Sequence, residues 1–242
     1  MVDENQSLLV AYDDAQNIYG AKSTWRVNGE KRKQTRKLKS LRSVGIQARG
    51  RSTILRINYR NTKEILATAI RYEGNKQQGA IRGENSDIPL LTPIPCERRG
   101  AEARITVEPH LPRLMEKLTD SLIAERKNGF QWGDMAVLLR SKHQITMFCK
   151  VLAQRKIPHG SSKALVTLCT DIVKVMTIHS AKGLEFPVVA VAGFVSKGNR
   201  EEQQLFYVGC TRATERLTVG IRNKNMLNSG LTRWNFNSSS VC

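Results

Sequence analysis

The sequence predicts an α/β chain built on a parallel sheet with crossover helices. Three observations lead there. Strand-length apolar runs alternate with stretches of helical spacing along most of the chain. Several of those runs, such as MAVLLR at residues 135–140, are apolar up to their last residue, as a buried strand requires. With 40% hydrophobic residues among 242, the chain can also bury the core that such a sheet needs.

The elements follow in order. Residues 7–12 (SLLVAY) form a short apolar run ending at Asp13 and Asp14, which suits a buried strand that delivers a polar loop. Residues 31–39 (KRKQTRKLK) lack apolar periodicity and are expected as a solvated loop or surface helix. A strand is expected at 52–57 (STILRI), and 62–71 has helical spacing. Prolines and glycines cluster after residue 74, so 74–112 is expected as a connector or reduced insertion. Beyond it lie an amphipathic helix at 114–127, a strand at 135–140, a helix at 145–154 and strands at 172–178 and 187–194. A helix at 203–211 and a strand at 217–221 complete one domain over 1–222. Residues 223–242, rich in Asn and Ser, are expected to be a disordered tail. In such a sheet ligands are expected beyond the carboxyl ends of the strands.

Composition removes several classes of function. The longest apolar run, 187–195, is about half of what a bilayer-spanning helix needs, so no membrane association is expected. The first residues, MVDENQ, lack the basic-then-apolar order of a secretory signal, and a cytoplasmic location is expected. Cysteines 96, 149, 169, 210 and 242 are odd in number and form no C-x-x-C pair, which argues for reduced thiols and against disulfides or a zinc ribbon. The net charge of +18 points to a polyanionic partner. Between Lys22 and Arg60, thirteen Lys or Arg stand against the single Glu30, so this stretch carries +12 of the total. A track for phosphates fits that concentration, and so does a merely solvated face.

Four short segments stand where an element is expected to end: DDAQNIYG at 13–20, NYR at 58–60, TIHSAKGLEF at 177–186 and YVGCTRA at 207–213. In this order they resemble motifs III, IV, V and VI of the UvrD/Rep family of superfamily 1 DNA helicases. Motif V extends over VMTIHSAKGLEFPVVAVAG (175–193) and motif VI over QLFYVGCTRATERLTV (204–219). The segment FQWGDMAVLLRSKHQI (130–145) resembles the family's strand between motifs IV and V. The resemblance implies a RecA-like parallel sheet flanked by helices, the second motor lobe of such a helicase. About 115 residues separate motifs IV and V, and the accessory 2B subdomain is expected to be absent or reduced.

The same resemblance assigns roles. Gln16 senses the terminal phosphate of ATP, Tyr59 stacks on adenine, and Arg60 and Arg212 address the γ-phosphate. Arginine suits that task because its planar, permanently charged fork holds phosphate oxygens. Glu185, beside Gly183, accepts from the ribose hydroxyl. His179, Ser180 and Lys182 contact the backbone of single-stranded DNA, and Tyr19 and Trp25 are its base-stacking candidates. Trp25 departs from the family's spacing, because Gly20, Ala21 and Lys22 stand where an aromatic and an arginine usually follow the tyrosine.

No G-x-x-x-x-G-K-[ST] loop occurs in the 242 residues, and the acidic echo VDENQ at 2–6 lies too close to motif III to serve as the family's magnesium motif. ATP and Mg2+ are therefore expected to be held with a separate N-terminal RecA-like lobe that supplies the magnesium ligands. By itself the chain is expected to be inactive as an ATPase. The alternative reading is a nucleic-acid-binding module without ATPase activity. A nuclease would need clustered carboxylates, and beyond Asp13 and Asp14 the sequence shows none.

Overall fold

The computed structural model of the chain describes residues 23–27, 30–34, 57–72, 94–95, 97–161, 171–194 and 200–222. Its centre is made by the apolar runs. Strand β6 (Met135–Leu139) is buried at every position, because it has a layer of helices on either side. Around it a six-stranded sheet runs in the order β5 (Arg104–Val107), β10 (Ala213–Ile221), β9 (Phe186–Phe194), β6, β8 (Val173–Thr177) and β7 (His159–Gly160). Every pairing in it is parallel.

Two apolar cores follow from the two-residue alternation of strand side chains. On one face Ala136, Leu138, Val189, Val191, Leu217 and Val219 pack against helices α1 (Lys63–Tyr72) and α4 (Arg200–Cys210). On the other, Met135, Val137, Leu139, Val175, Val188 and Ala190 meet α2 (Leu111–Lys127) and α3 (Lys142–Gln154). The helix starts have local causes. The Ser141 hydroxyl accepts from the Gln144 N–H at 3.3 Å and caps α3, while Pro112 occupies the first turn of α2, where no N–H is needed. At Gly220 a side chain would meet Leu114 and Leu118, so its absence lets α2 lie close on β10.

Three expectations from the sequence need correction. Residues 31–34 are not loop or helix but part of strand β2 (Glu30–Gln34), paired antiparallel with β1 (Ser23–Val27) so that Trp25 stands opposite Arg32. The two residues between these strands are Asn28 and Gly29, the dipeptide that most favours a tight hairpin, and it outweighs the lack of apolar periodicity. The stretch 74–112 is more than a connector. It contains β4 (Ile94–Pro95), which pairs with β3 (Ile57–Asn58), and β5, the edge strand of the main sheet. The polar-apolar alternation of RITV fits an edge with one face covered. Finally, β7 adds a two-residue strand after α3. The strand expected at 7–12 and the tail at 223–242 lie outside the described residues. Among the described residues between 58 and 175, the long elements all belong to this one sheet and its helices. No helix there is long and apolar enough to cross a membrane.

Candidate nucleotide and nucleic-acid site

Register places the candidate residues at opposite ends of the sheet's strands. Thr177, at the carboxyl end of β8, is level with Leu139, which in turn is level with Ala192 of β9. The next strand begins at Phe186, six residues lower, or about 20 Å along the sheet at 3.3 Å per residue. Residues 178–185 therefore descend the length of the sheet. They do so over the face covered by α1 and α4, since Ile178 and Ala181 are buried in that core and Leu184 packs against it. The descent separates the motif into an upper part, His179 to Gly183, and a lower part ending in Glu185.

The upper part is a tight turn. The Ala181 N–H donates to the Thr177 carbonyl at 3.1 Å, and the Ser180 N–H donates to Thr177 Oγ1 at 3.1 Å. The two hydroxyls of Thr177 and Ser180 lie 2.8 Å apart. Thr177 is a member of this site that the sequence alone did not single out. Ser180, Lys182 and Gly183 are exposed and His179 is half-buried. Gly183 has φ +85°, a left-handed conformation that glycine adopts without a steric penalty.

The lower part gathers three segments at the amino ends of β9 and β10, not at the carboxyl ends where a ligand was expected. Arg60 Nε pairs with the Glu185 carboxylate at 2.9 Å, and both side chains are about half exposed. Tyr59, next to Arg60 in the chain, is 73% exposed, so its ring face is open to solvent. Arg212 is different: it is 1% exposed. Its Nε donates to the Val208 carbonyl at 3.0 Å, one Nη to the Leu184 carbonyl at 3.2 Å and the other to Thr211 Oγ1 at 3.3 Å. Thus Arg60 and Arg212, which sequence reasoning treated alike, hold adjacent residues of one loop, Glu185 and Leu184, from outside and from inside.

Two asparagines complete the arrangement. Asn58 Oδ1 accepts from the N–H groups of Arg60 and Asn61, at 3.0 and 3.1 Å, and so closes the turn that presents Tyr59. Asn61, fully buried, donates its side-chain N–H groups to the carbonyls of Thr211 at 3.1 Å and Ala213 at 2.6 Å. Arg98 adds a cation nearby, donating to the Arg60 carbonyl at 3.3 Å. Sequence reasoning missed Asn61 and Arg98, and only the N-x-x-N spacing of 58–61 hinted at the first. Gln16 and Tyr19 lie outside the described residues, and Trp25 stands on β1 with its backbone alone described. The buried Cys210 thiol is pushed far above the usual thiol range by desolvation, which leaves it inert.

Residues 160–224 match the UvrD-like helicase C-terminal domain family. DNA helicase II of Escherichia coli K12 is 46% identical over 61 residues, 20% of this chain and 8% of that protein. The ATP-dependent DNA helicase UvrD1 of Mycobacterium tuberculosis H37Rv is 45% identical over 60 residues, with the same shares of 20% and 8%. The match to these curated relatives thus spans under a tenth of their own length. Among solved structures, the C-terminal domain of a possible DNA helicase from Lactobacillus plantarum WCFS1 has the same fold, with a TM-score of 0.51 and 20% identity over 68% of this chain and 87% of that one.

Proposed function

From the match of residues 160–224 to the UvrD-like helicase C-terminal domain family, we propose that the chain acts as the C-terminal, RecA-like motor lobe of an ATP-dependent 3′–5′ DNA helicase. The observation that carries this is the meeting of Tyr59–Arg60, Leu184–Glu185 and Thr211–Ala213 in one bonded group. The residues fit a nucleotide chemically. An exposed aromatic face suits a base, an exposed carboxylate suits ribose hydroxyls, and an arginine held by only a half-exposed ion pair can exchange that partner for phosphate oxygens. ATP supplies the phosphoryl group whose transfer to water drives the motor.

In this reading Tyr59 orients the base, Glu185 holds the ribose with Gly183 in the loop above it, and Arg60 neutralises charge at the terminal phosphate. Arg212 backs the loop from inside and reaches phosphate only by exchanging its present acceptors. Gln16 links the phosphate to the DNA track. The Walker loop and the Mg2+ ligands come from an N-terminal RecA-like lobe, in the same or a separate chain. Single-stranded DNA runs past His179, Ser180 and Lys182, with Tyr19 and Trp25 stacking on its bases. Because 178–185 joins the carboxyl end of β8 to the amino end of β9, nucleotide at Glu185 and DNA at His179 pull on opposite ends of one short segment. That is a direct way to couple them, and it favours the motor over the alternative of a binding module without ATPase activity. The domain covers 1–222, the accessory 2B subdomain is absent or reduced, and the location is cytoplasmic.

The test is a pair of titrations on the intact chain, with a fluorescent ATP analogue and with fluorescent oligo-dT. Expected are nucleotide binding weakened by Tyr59→Ala, DNA binding weakened by Lys182→Ala, and no Mg2+-dependent ATP hydrolysis by the chain alone. Nucleotide binding indifferent to Tyr59→Ala would overturn the nucleotide half of the reading. Hydrolysis by the pure chain, abolished by Arg212→Ala, would overturn its dependence on a second lobe.

A further inference from the structure

Each backbone carbonyl of the turn Thr211-Arg212-Ala213 is held by a named partner. The central one, of Arg212, accepts from the Phe186 N–H at 2.9 Å, which starts the pairing of β9 and β10. The outer two accept from a single side chain, the amide of Asn61, at 3.1 and 2.6 Å. The same amide turns its oxygen to Asn58, whose Nδ2 donates to it at 2.9 Å. Asn61 therefore reaches across 150 residues of chain to grip the peptide units on both sides of Arg212, from the turn that carries Tyr59 and Arg60.

Few side chains could do this. Two N–H donors and one acceptor on a short stem are needed together, and asparagine supplies all three. Aspartate has the same size but, when ionised, would set a carboxylate against two carbonyl oxygens. Serine offers one donor. The environment is dry, so each carbonyl left without a donor bears its desolvation cost in full.

We propose that Asn61 is a positioning residue, whose side-chain amide locks the Tyr59–Arg60 turn to the two carbonyls flanking Arg212 so that both arginines keep one fixed relation. Asn61 itself touches no ligand. The inference rests on the reading of Arg60 and Arg212 as parts of one phosphate site. What it adds is that the site's geometry depends on a buried amide that lies outside the matched residues 160–224.

The test uses the intact chain labelled uniformly with 15N, and follows hydrogen exchange of the Arg212 Nε–H, which is bonded to the Val208 carbonyl. In Asn61→Ala this exchange is expected to quicken at least about tenfold, the change that 1.4 kcal/mol of local stabilisation gives. Backbone amides of the sheet centre, at Val137 and Val189, keep their protection. Asn61→Asp at neutral pH should behave like Asn61→Ala although it fills the same volume, which a packing role would not produce. Should Asn61→Ala fail to fold, Asn61→Ser, with one donor, carries the same measurement and an intermediate rate. An Arg212 signal unchanged in these variants, or an exchange that quickens equally everywhere, would overturn the proposal. No nucleotide enters the measurement, so its failure is distinct from a failure of the ATP-analogue titration.

Discussion

Arg60→Ala and Arg212→Ala should have opposite signatures, although both remove an arginine that holds the 184–185 loop. Arg60 and Glu185 are 41% and 59% exposed, and an ion pair so open to water contributes about 0–1 kcal/mol to stability. Truncating Arg60 should leave the melting temperature within a few degrees of the parent. If Arg60 binds phosphate, the loss of one charge-assisted contact is about 1.5–3 kcal/mol, or roughly 10- to 150-fold in nucleotide affinity. Arg212 is 1% exposed and donates to Val208, Leu184 and Thr211. Its truncation opens a void and leaves buried acceptors without donors, at about 3 kcal/mol. In a chain of this size that lowers the melting temperature by roughly 6–12 °C. Thermal unfolding followed by circular dichroism and titration with a fluorescent ATP analogue, run on both variants, separate the two effects. A large loss of stability in Arg60→Ala, or unchanged nucleotide affinity in a folded Arg60→Ala, would refute the reasoning.

Other outcomes are expected elsewhere in the molecule. Gly220→Ala should lose about 1–3 kcal/mol in chemical denaturation, because its new methyl would lie 3.1–3.2 Å from Leu118, Ala192 and Leu114 on a closely packed helix; no loss would mean that α2 shifts freely. The Glu108 carboxylate is held below the usual carboxylate range by hydrogen bonds from Lys117 Nζ at 2.9 Å and the His110 N–H at 3.3 Å. Its stabilisation is thus present above the unfolded-state pKa and lost as pH falls through the lower folded value. Lys117→Met should flatten that acid limb, and an identical pH profile in the variant would count against it. Binding of fluorescent oligo-dT should weaken steeply between two salt concentrations, and neutralising the cations of 31–39 should reduce that slope. A salt-independent affinity would dismiss the basic stretch as a phosphate track.

The sequence carried the local facts. Where an apolar run was long and uninterrupted, as at 135–139 and 187–194, strand and burial both followed, because a segment with no polar face has only the core to occupy. Helices 111–127 and 142–154 were expected from their apolar spacing, but each begins three residues earlier than that spacing suggested, at Pro112 in the first turn and at the Ser141 cap. The motif residues Tyr59, Arg60, Glu185 and Arg212 could be named from their order along the chain. What failed was local ambiguity: 104–107 has too few residues to announce a strand, and becomes one only because β10 offers it an edge.

The sequence by itself determined the α/β class, most strand and helix runs of the core and, of the residues around the candidate site, Tyr59, Arg60, Glu185 and Arg212 but not Asn61, Arg98 or Thr177. Only the tertiary structure decided where they stand. Register put Glu185 and Arg212 at the amino ends of their strands and His179 at the carboxyl end of another, because hydrogen-bond pairing between distant strands sets levels that spacing along the chain does not encode. Folding likewise made Arg60 an open cation and Arg212 a buried one, and chose Asn61 to hold them. Exposure and hydrogen bonding depend on what the rest of the chain brings alongside, and the partners of Asn61 lie 150 and 152 residues away.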